Sequence, residues 1–331
     1  MNAFDLDTPS VYIDLDILEA NMRRMQERCR GWKVGLRPHA KTHKIPEIAR
    51  LQLAMGAIGI TVAKIGEAEV MPGADLLIAY NILPDKIPRL RPLLKNRRIT
   101  VLVDAVEVAR KLDGIETLVD VDVGFRRTGV QSPEDYEKVA DACTHFRGLF
   151  YYPANLDEPT MRRAAETVQA CLARRKGEVV SGGSTPSAAR TPFIPETTEV
   201  RPGSYVFNDA GMMTLGLARP EDCALRVLVS VVSTAVPGQC VIDGGMKTFS
   251  AYPTREVGGY GHVVDRPWSF VKMNEEHGIL QVADRQPRMG EKLWIIPASA
   301  SKTIDLHDEV AFGRNGRVEG TWKVAARGKI R

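Results

Sequence analysis

The sequence predicts an α/β protein: a (β/α)8 TIM-type barrel followed by a C-terminal β domain. Three observations predict it. The first two-thirds of the 331 residues alternates short apolar, β-branched runs with amphipathic runs, a rhythm that asks for a parallel sheet covered by helices. After about Asp222 the rhythm stops, and β-branched segments punctuated by Gly and Pro take over. No internal repeat, low-complexity tract or linker interrupts either part. The number of alternations suits a (β/α)8 barrel, although rhythm alone also accommodates a doubly wound open sheet.

The elements follow in order. Residues 34–38 are the first barrel strand and 46–55 an amphipathic helix. Residues 57–63 are β-branched and strand-like, with a helical turn or two at 65–71. Strands continue at 75–81, 99–104, 117–123, 148–152 and 178–181, with helices at 84–94, 105–112, 133–144 and 158–175. The eighth strand falls at Gly203-Ser204-Tyr205. In the last third, residues 225–236 form a strand that ends at a Pro237-Gly238 turn, and no long helical period appears.

Composition bounds the function. Hydrophobic residues make up 44% and charged residues 26%, ordinary for a globular enzyme. Lys plus Arg number 45 against 41 acids, and a net charge of +4 gives no reason to invoke nucleic acid or a membrane surface. The first residues lack the basic and apolar regions of a signal peptide, and no apolar run is long enough to span a bilayer. Cys29, Cys143, Cys171, Cys223 and Cys240 are scattered without paired spacing, which argues against a zinc knuckle or disulfide framework and for a reducing, cytoplasmic setting.

The chemistry concentrates in Arg37-Pro38-His39-Ala40-Lys41-Thr42-His43-Lys44, where a strand feeds a helix. A lysine at a strand end points into the mouth of an α/β fold. Basic neighbours disfavour its protonated form, and a neutral amine is what Schiff-base chemistry with an aldehyde requires. The same eight residues also describe a basic, solvated turn. Ser181-Gly182-Gly183-Ser184-Thr185 has a similar ambiguity: glycines and hydroxyls after a late strand suit a phosphate, or make a flexible loop.

These segments, with Thr8-Pro9-Ser10-Val11-Tyr12, Ala63-Lys64-Ile65-Gly66-Glu67-Ala68, Gly124-Phe125-Arg126-Arg127-Thr128-Gly129, Arg201-Pro202-Gly203-Ser204-Tyr205, Glu276-His277-Gly278, Leu306-His307-Asp308-Glu309 and Ala325-Ala326-Arg327-Gly328, resemble the D-threonine aldolase and D-serine dehydratase family nearly end to end. The resemblance implies pyridoxal 5'-phosphate enzymes of the alanine-racemase fold type, and so favours the barrel. It assigns residues 16–222 to the cofactor-binding barrel, and residues 1–15 with 223–331 to the β-rich domain. It implies Lys41 as the Schiff-base lysine, with Lys44 as the fallback. Ser184, Thr185, Gly203, Ser204 and Tyr205 become the phosphate cup, with Gly244 in Asp243-Gly244-Gly245-Met246 as a second contact from the β domain. Arg127 matches the family's Gly-x-x-Arg-(Thr/Cys)-Gly pattern and would hold the cofactor hydroxyl or a substrate carboxylate. Tyr152 matches a tyrosine that faces the cofactor ring, or is a core tyrosine. His39, more than His43, would contact the cofactor, and His277 and His307 lie in matching motifs near the substrate. A homodimer is implied as well.

The chain departs from its family where the reaction is decided. Family members carry Pro-x-His-x-(Cys/Asp)-Pro-Thr, whose His and Cys or Asp bind a divalent metal. Here the segment reads Pro297-Ala298-Ser299-Ala300-Ser301-Lys302-Thr303. Hydroxyls are poor ligands for a transition metal, and Lys302 adds an opposing charge. The sequence therefore predicts no metal at this position. The Gly-His pair that follows the family's tyrosine is also replaced, by Pro153-Ala154-Asn155. Asn155, Ser299 and Ser301 are the substrate-side substitutes. The expected activity is retro-aldol cleavage of a D-configured β-hydroxy amino acid. The alternatives are a metal-free relative with another reaction (dehydration, aldol-type transfer, α-alkylation, racemisation) and a non-catalytic pyridoxal-phosphate-binding protein.

Overall fold

The computed structural model describes residues 1–153, 157–251 and 259–331. The chain opens with β1 (Ser10–Asp14) and α1 (Leu15–Trp32). Asp14 starts the helix by accepting the N–H groups of Asp16 and Ile17 at 3.0 and 3.2 Å. Eight parallel strands follow: β2 (Gly35–Leu36), β3 (Ile60–Val62), β4 (Asp75–Asn81), β5 (Arg98–Val103), β6 (Glu116–Val121), β7 (Phe146–Tyr151), β8 (Val179–Gly182) and β9 (Glu199–Val200). Between them run α2 (Pro46–Ala54), α3 (Ile65–Ala68), α4 (Ile87–Leu94), α5 (Val106–Ala109), α6 (Pro133–Ala142) and α7 (Glu158–Arg174).

The strand order is β2-β9-β8-β7-β6-β5-β4-β3. Its two ends meet. Ile58 N donates to Leu36 O and Thr61 N to Pro38 O, both at 2.9 Å, and His39 bridges Thr61 in parallel. A sheet with no free edge is a barrel, which removes the doubly wound alternative. Register places Asp120, Phe150, Ser181 and Glu199 side by side on neighbouring strands, so their side chains share one face. Leu77, Leu102, Leu118 and Phe150 form an apolar cluster. The eighth barrel strand is Glu199–Val200, four residues earlier than the sequence suggests; Ser204–Val206 is a 3-10 turn.

The remaining strands are β10 (Leu225–Ser233), β11 (Gln239–Ile242), β12 (Gly261–Val263), β13 (Ser269–Met273), β14 (Gly278–Gln281), β15 (Lys292–Pro297), β16 (Glu309–Arg314) and β17 (Arg317–Lys323). They form a second sheet of order β13-β14-β11-β10-β1-β16-β17, with β15 pairing β10 and β12. The N-terminal strand β1 is central in it, antiparallel to β10 and parallel to β16. Helices here are short: α8 (Ala210–Thr214), α9 (Met246–Phe249) and α10 (Ala300–Ile304).

By contacts the chain divides into two compact units. A barrel unit comprises Arg24–Lys41, Pro46–Gly203 and Lys329–Arg331, and a β unit comprises Met1–Arg23, Thr42–Ile45 and Ser204–Gly328. Residues 204–222 thus join the β unit, where the sequence would put them in the barrel. Ala224 N donates to Phe207 O at 2.7 Å, and Asn21 Nδ2 donates to Val206 O and Asp222 O at 3.2 and 2.9 Å. All five cysteines are free and buried. Among the described residues no helix is long and apolar enough to cross a membrane.

Candidate active site

In the barrel unit, Lys41 stands on a 3-10 turn, Ala40–Thr42, reached from the end of β2 through Arg37-Pro38-His39. The turn is tied down on both sides: His39 N donates to Pro202 O at 3.0 Å, and Lys41 N to His39 Nδ1 at 3.4 Å. Solvent reaches the Lys41 side chain. Burial among protein atoms is nevertheless the main force lowering its amine pKa, with Arg127 and Arg201 adding to it and Glu67 opposing. A side chain meets both conditions when it stands in an open concavity. Lys44, in the β unit, differs. Its ammonium forms a 3.0 Å ion pair with Asp305.

The loop after β6 explains its own sequence pattern. Asp122 Oδ1 accepts the N–H groups of Gly124 and Arg126 at 2.9 and 3.0 Å. Gly129 has φ +106°, and a Cβ there would lie 2.6 Å from Asp122 N. The Gly129 N–H donates to Asp104 at 3.0 Å, and Thr128 donates to the Asp120 carboxylate. The rigid loop presents Arg127, whose guanidinium lies 5.0 Å from the Phe125 ring centre and 5.3 Å from that of Tyr152. The two rings meet edge to face at 5.2 Å.

β8 ends in Gly182, where a Cβ would strike the Tyr151 ring at 2.1 Å, and the loop after it begins with Gly183, at φ +77°. Ser184 N donates to Ser187 Oγ at 2.7 Å, and the two hydroxyls lie 2.9 Å apart. Gly203 N donates to Thr185 Oγ1 at 3.1 Å, joining the segments that follow β8 and β9. Ser184, Thr185 and Gly203 are thus brought together in the barrel unit. Ser204 and the buried Tyr205, next in the chain, belong to the β unit.

Sequence reasoning missed a buried polar chain in the same unit. Arg201 donates to Ser181 Oγ at 2.7 Å and to Tyr151 O at 2.9 Å, and its guanidinium stacks 3.7 Å above the Phe150 ring. Ser181 donates to Glu199 at 2.6 Å. Glu199 also receives Arg37 Nε at 2.9 Å, and Arg37 reaches Asp75 at 2.6 Å. Burial lowers Arg201 to about 10, against the pull of Glu199. Asp120 is raised by burial, opposed by the Thr128 hydrogen bond and reinforced by Asp104. Arg37 and Arg201 stand in quoted motifs, but strand pairing assembled their partners.

In the β unit, Gly244 has a packing reason to be glycine: a Cβ would lie 2.6 Å from the Phe249 ring and 2.9 Å from Val229. Asp243 beside it receives Thr8 Oγ1 at 2.5 Å and Ser230 N at 2.8 Å. His43 is fully buried, and its Nδ1 accepts Ile45 N at 3.0 Å. His277 lies on the exposed β13–β14 turn, beside the Lys247 ion pairs to Glu275 and Glu276. His307 Nε2 lies 3.0 Å from Thr248 O. A carbonyl only accepts, so Nε2 carries the hydrogen and Nδ1 of the neutral ring is the basic nitrogen. Burial holds His307 below the ordinary histidine range, against the effect of that hydrogen bond. Asn155 lies outside the described residues.

The segment that holds a metal in the resembled family forms the end of β15 and the start of α10. Ser299 Oγ and Ser301 Oγ lie 3.2 Å apart. Asp209 receives Ala300 N at 3.0 Å and Met212 N at 2.9 Å, and is raised to about 6 by burial. The donors here are two hydroxyls beside a lysine, a poor set for a divalent metal. Among the described residues no group of three or more His, Cys, Asp or Glu side chains is arranged to hold one.

Comparison with known proteins agrees with this architecture. Residues 13–210 match the family described as "Alanine racemase, N-terminal domain", and residues 224–312 match "Putative serine dehydratase domain". The chain is 32% identical to D-threonine aldolase of Arthrobacter sp, over 98% of this chain and 93% of that protein. It is 33% identical to D-threo-3-hydroxyaspartate dehydratase of Delftia sp. strain HT23, over 96% and 97%. The crystal structure of D-threonine aldolase from Filomicrobium marinum superposes with a TM-score of 0.90 at 30% identity, covering 99% of this chain and 98% of that one. Alanine racemase from Bacillus anthracis, at 16% identity and a TM-score of 0.75, shares the fold. With a parallel barrel followed by a mixed β sheet and relatives matched end to end, the chain belongs to the family that joins an alanine racemase N-terminal domain to a serine dehydratase domain.

Proposed function

We propose that the chain is a pyridoxal-phosphate-dependent lyase that cleaves D-configured β-hydroxy amino acids by retro-aldol reaction to glycine and an aldehyde, without a divalent metal. The observation that carries the reading is Lys41: an amine reached by solvent, enclosed by protein and flanked by two guanidinium charges is biased toward its neutral, nucleophilic form. The surrounding residues fit the cofactor. Lys41 would hold its aldehyde carbon covalently. Ser184, Thr185 and Gly203, already joined through hydroxyl and amide groups, would take its phosphate together with Ser204 and Tyr205. Arg127 and Tyr152 would meet its ring and hydroxyl, with His39 in support.

When bound, pyridoxal phosphate supplies an electron sink for the bond that breaks. The protein chooses the bond and moves the protons. Lys41 would return a proton to the α-carbon of the departing glycine. The β-hydroxyl proton needs a general base to accept it as the carbon–carbon bond breaks.

The aldolase and dehydratase relatives match at nearly equal identity, so dehydration on the same residues is the second reading. NMR product analysis of the cofactor-loaded protein with D-threonine in excess EDTA separates them. Glycine plus acetaldehyde is expected. 2-Oxobutyrate plus ammonia transfers the reading to dehydration, and unchanged D-threonine sinks both for this substrate. The reading also carries a homodimer, checked by light scattering of the eluting protein.

A further inference from the structure

The segments that carry Lys41 and Arg201 are locked side by side. Leu36 pairs with Val200, Arg37 N donates to Val200 O at 3.0 Å, and His39 N donates to Pro202 O at 3.0 Å. Arg201 therefore follows directly on one strand, and the segment that leads to Lys41 continues the adjacent strand and stays paired with it as far as His39 and Pro202. Arg201 is fixed on three sides, by Ser181 Oγ (2.7 Å), Tyr151 O (2.9 Å) and the face of Phe150 (3.7 Å). Glu199 reaches it through a hydroxyl, because Ser181 donates to Glu199 and accepts from Arg201, and Asp120 acts on it through space. Glu199 is shared with Arg37, and Arg37 is shared with Asp75. The guanidinium is thus buried, immobile and only partly compensated.

We propose that Arg201 is a positioning residue whose buried guanidinium, anchored by Ser181, Tyr151 and Phe150, acts on the neighbouring segment to keep the Lys41 amine nucleophilic. The proposal rests on the reading of Lys41 as the cofactor lysine and names what makes that lysine competent. A like charge close to an ammonium favours loss of its proton, and a low-dielectric surround preserves the effect that water would screen. The other charged groups facing Lys41 are Arg127 on the loop after β6, which acts in the same sense, and Glu67 on α3, which opposes. His39 faces it from its own segment, and Asp120 lies within the field of both arginines. Arg127 is exposed and open to salt screening, whereas Arg201 is 4% exposed.

The test measures the amine without the cofactor. The full-length chain, resolved of bound pyridoxal phosphate, is labelled with 1-fluoro-2,4-dinitrobenzene across a pH series. Modification of Lys41 is read by peptide mass spectrometry. Arg201→Gln is expected to raise the midpoint of Lys41 labelling by about one pH unit, and Arg201→Lys to restore it. Ser181→Ala keeps the charge but removes the oxygen that shields it, so the midpoint falls. An unchanged midpoint in a folded Arg201→Gln protein overturns the proposal. If that variant does not fold, Ser181→Ala decides: a fall supports the proposal, and no change or a rise overturns it. Failure of borohydride to fix pyridoxal phosphate at Lys41 in the wild-type protein would instead sink the proposed function and leave the labelling result standing.

Discussion

At the scale of the residue, two lysines three positions apart have opposite surroundings. Lys44 is committed to Asp305 at 3.0 Å, while Lys41 faces guanidinium groups. Lys41→Ala is expected to abolish borohydride-fixed cofactor and to lower turnover on the order of a thousandfold, with Lys44→Ala retaining both labelling and cofactor. Asp209 offers a prediction on pH. Its folded pKa, about 6, lies above the ordinary carboxylate value, because burial disfavours the charge. The folded state therefore holds the proton more tightly than the unfolded state. The stability this confers is present below about pH 4 and lost as pH rises through 6. Thermal unfolding of the wild type against Asp209→Asn should show the wild type losing ground across that window, by on the order of 3 kcal/mol. Lys41, Arg127 and the Ser299-Ala300-Ser301-Lys302 segment could be singled out from sequence because each stands in a short motif. Arg201, Glu199 and Asp120 were not, because their roles arise from strand register rather than from sequence neighbours.

At the scale of the element, the loop between β6 and α6 is stiff enough to aim a side chain. Its backbone turns on Gly124 and Gly129, both at positive φ, and is closed by Asp104, Asp120 and Asp122. Gly129→Ala forces a side chain into Asp122 N and is expected to cost about 2 kcal/mol or more in a denaturant titration. Displacement of Arg127 would lower turnover by up to about a hundredfold. Strands with a longer apolar run, such as β4, could be read residue by residue. The two-residue strand β9 could not, since its buried Glu199 breaks any apolar signal. Helix α1 has no counterpart among the sequence expectations, although Leu18, Met22, Met25 and Cys29 recur at helical spacing and are all buried. Its many charged residues mask that stripe.

At the scale of the whole molecule, neither unit is one continuous stretch of chain. The barrel unit recovers Lys329–Arg331 at the far end, where Gly66 N donates to Arg331 O at 2.8 Å. The β unit takes its central strand from residues 10–14. A fragment of residues 1–203 therefore contains β1 without β10 or β16. It is expected to aggregate, and sedimentation of the expressed fragment checks this. The same topology sets a schedule for synthesis. In β1, Val11, Tyr12 and Ile13 are buried only once their partners exist. Residue 225, where β10 begins, is 211 positions beyond Asp14 (225 minus 14). At ribosomal rates that is a delay of about 10–40 s. Through that interval the nascent chain carries an unpaired apolar strand, so the yield of active protein will depend on what shields five residues while β10 and β16 are still being translated.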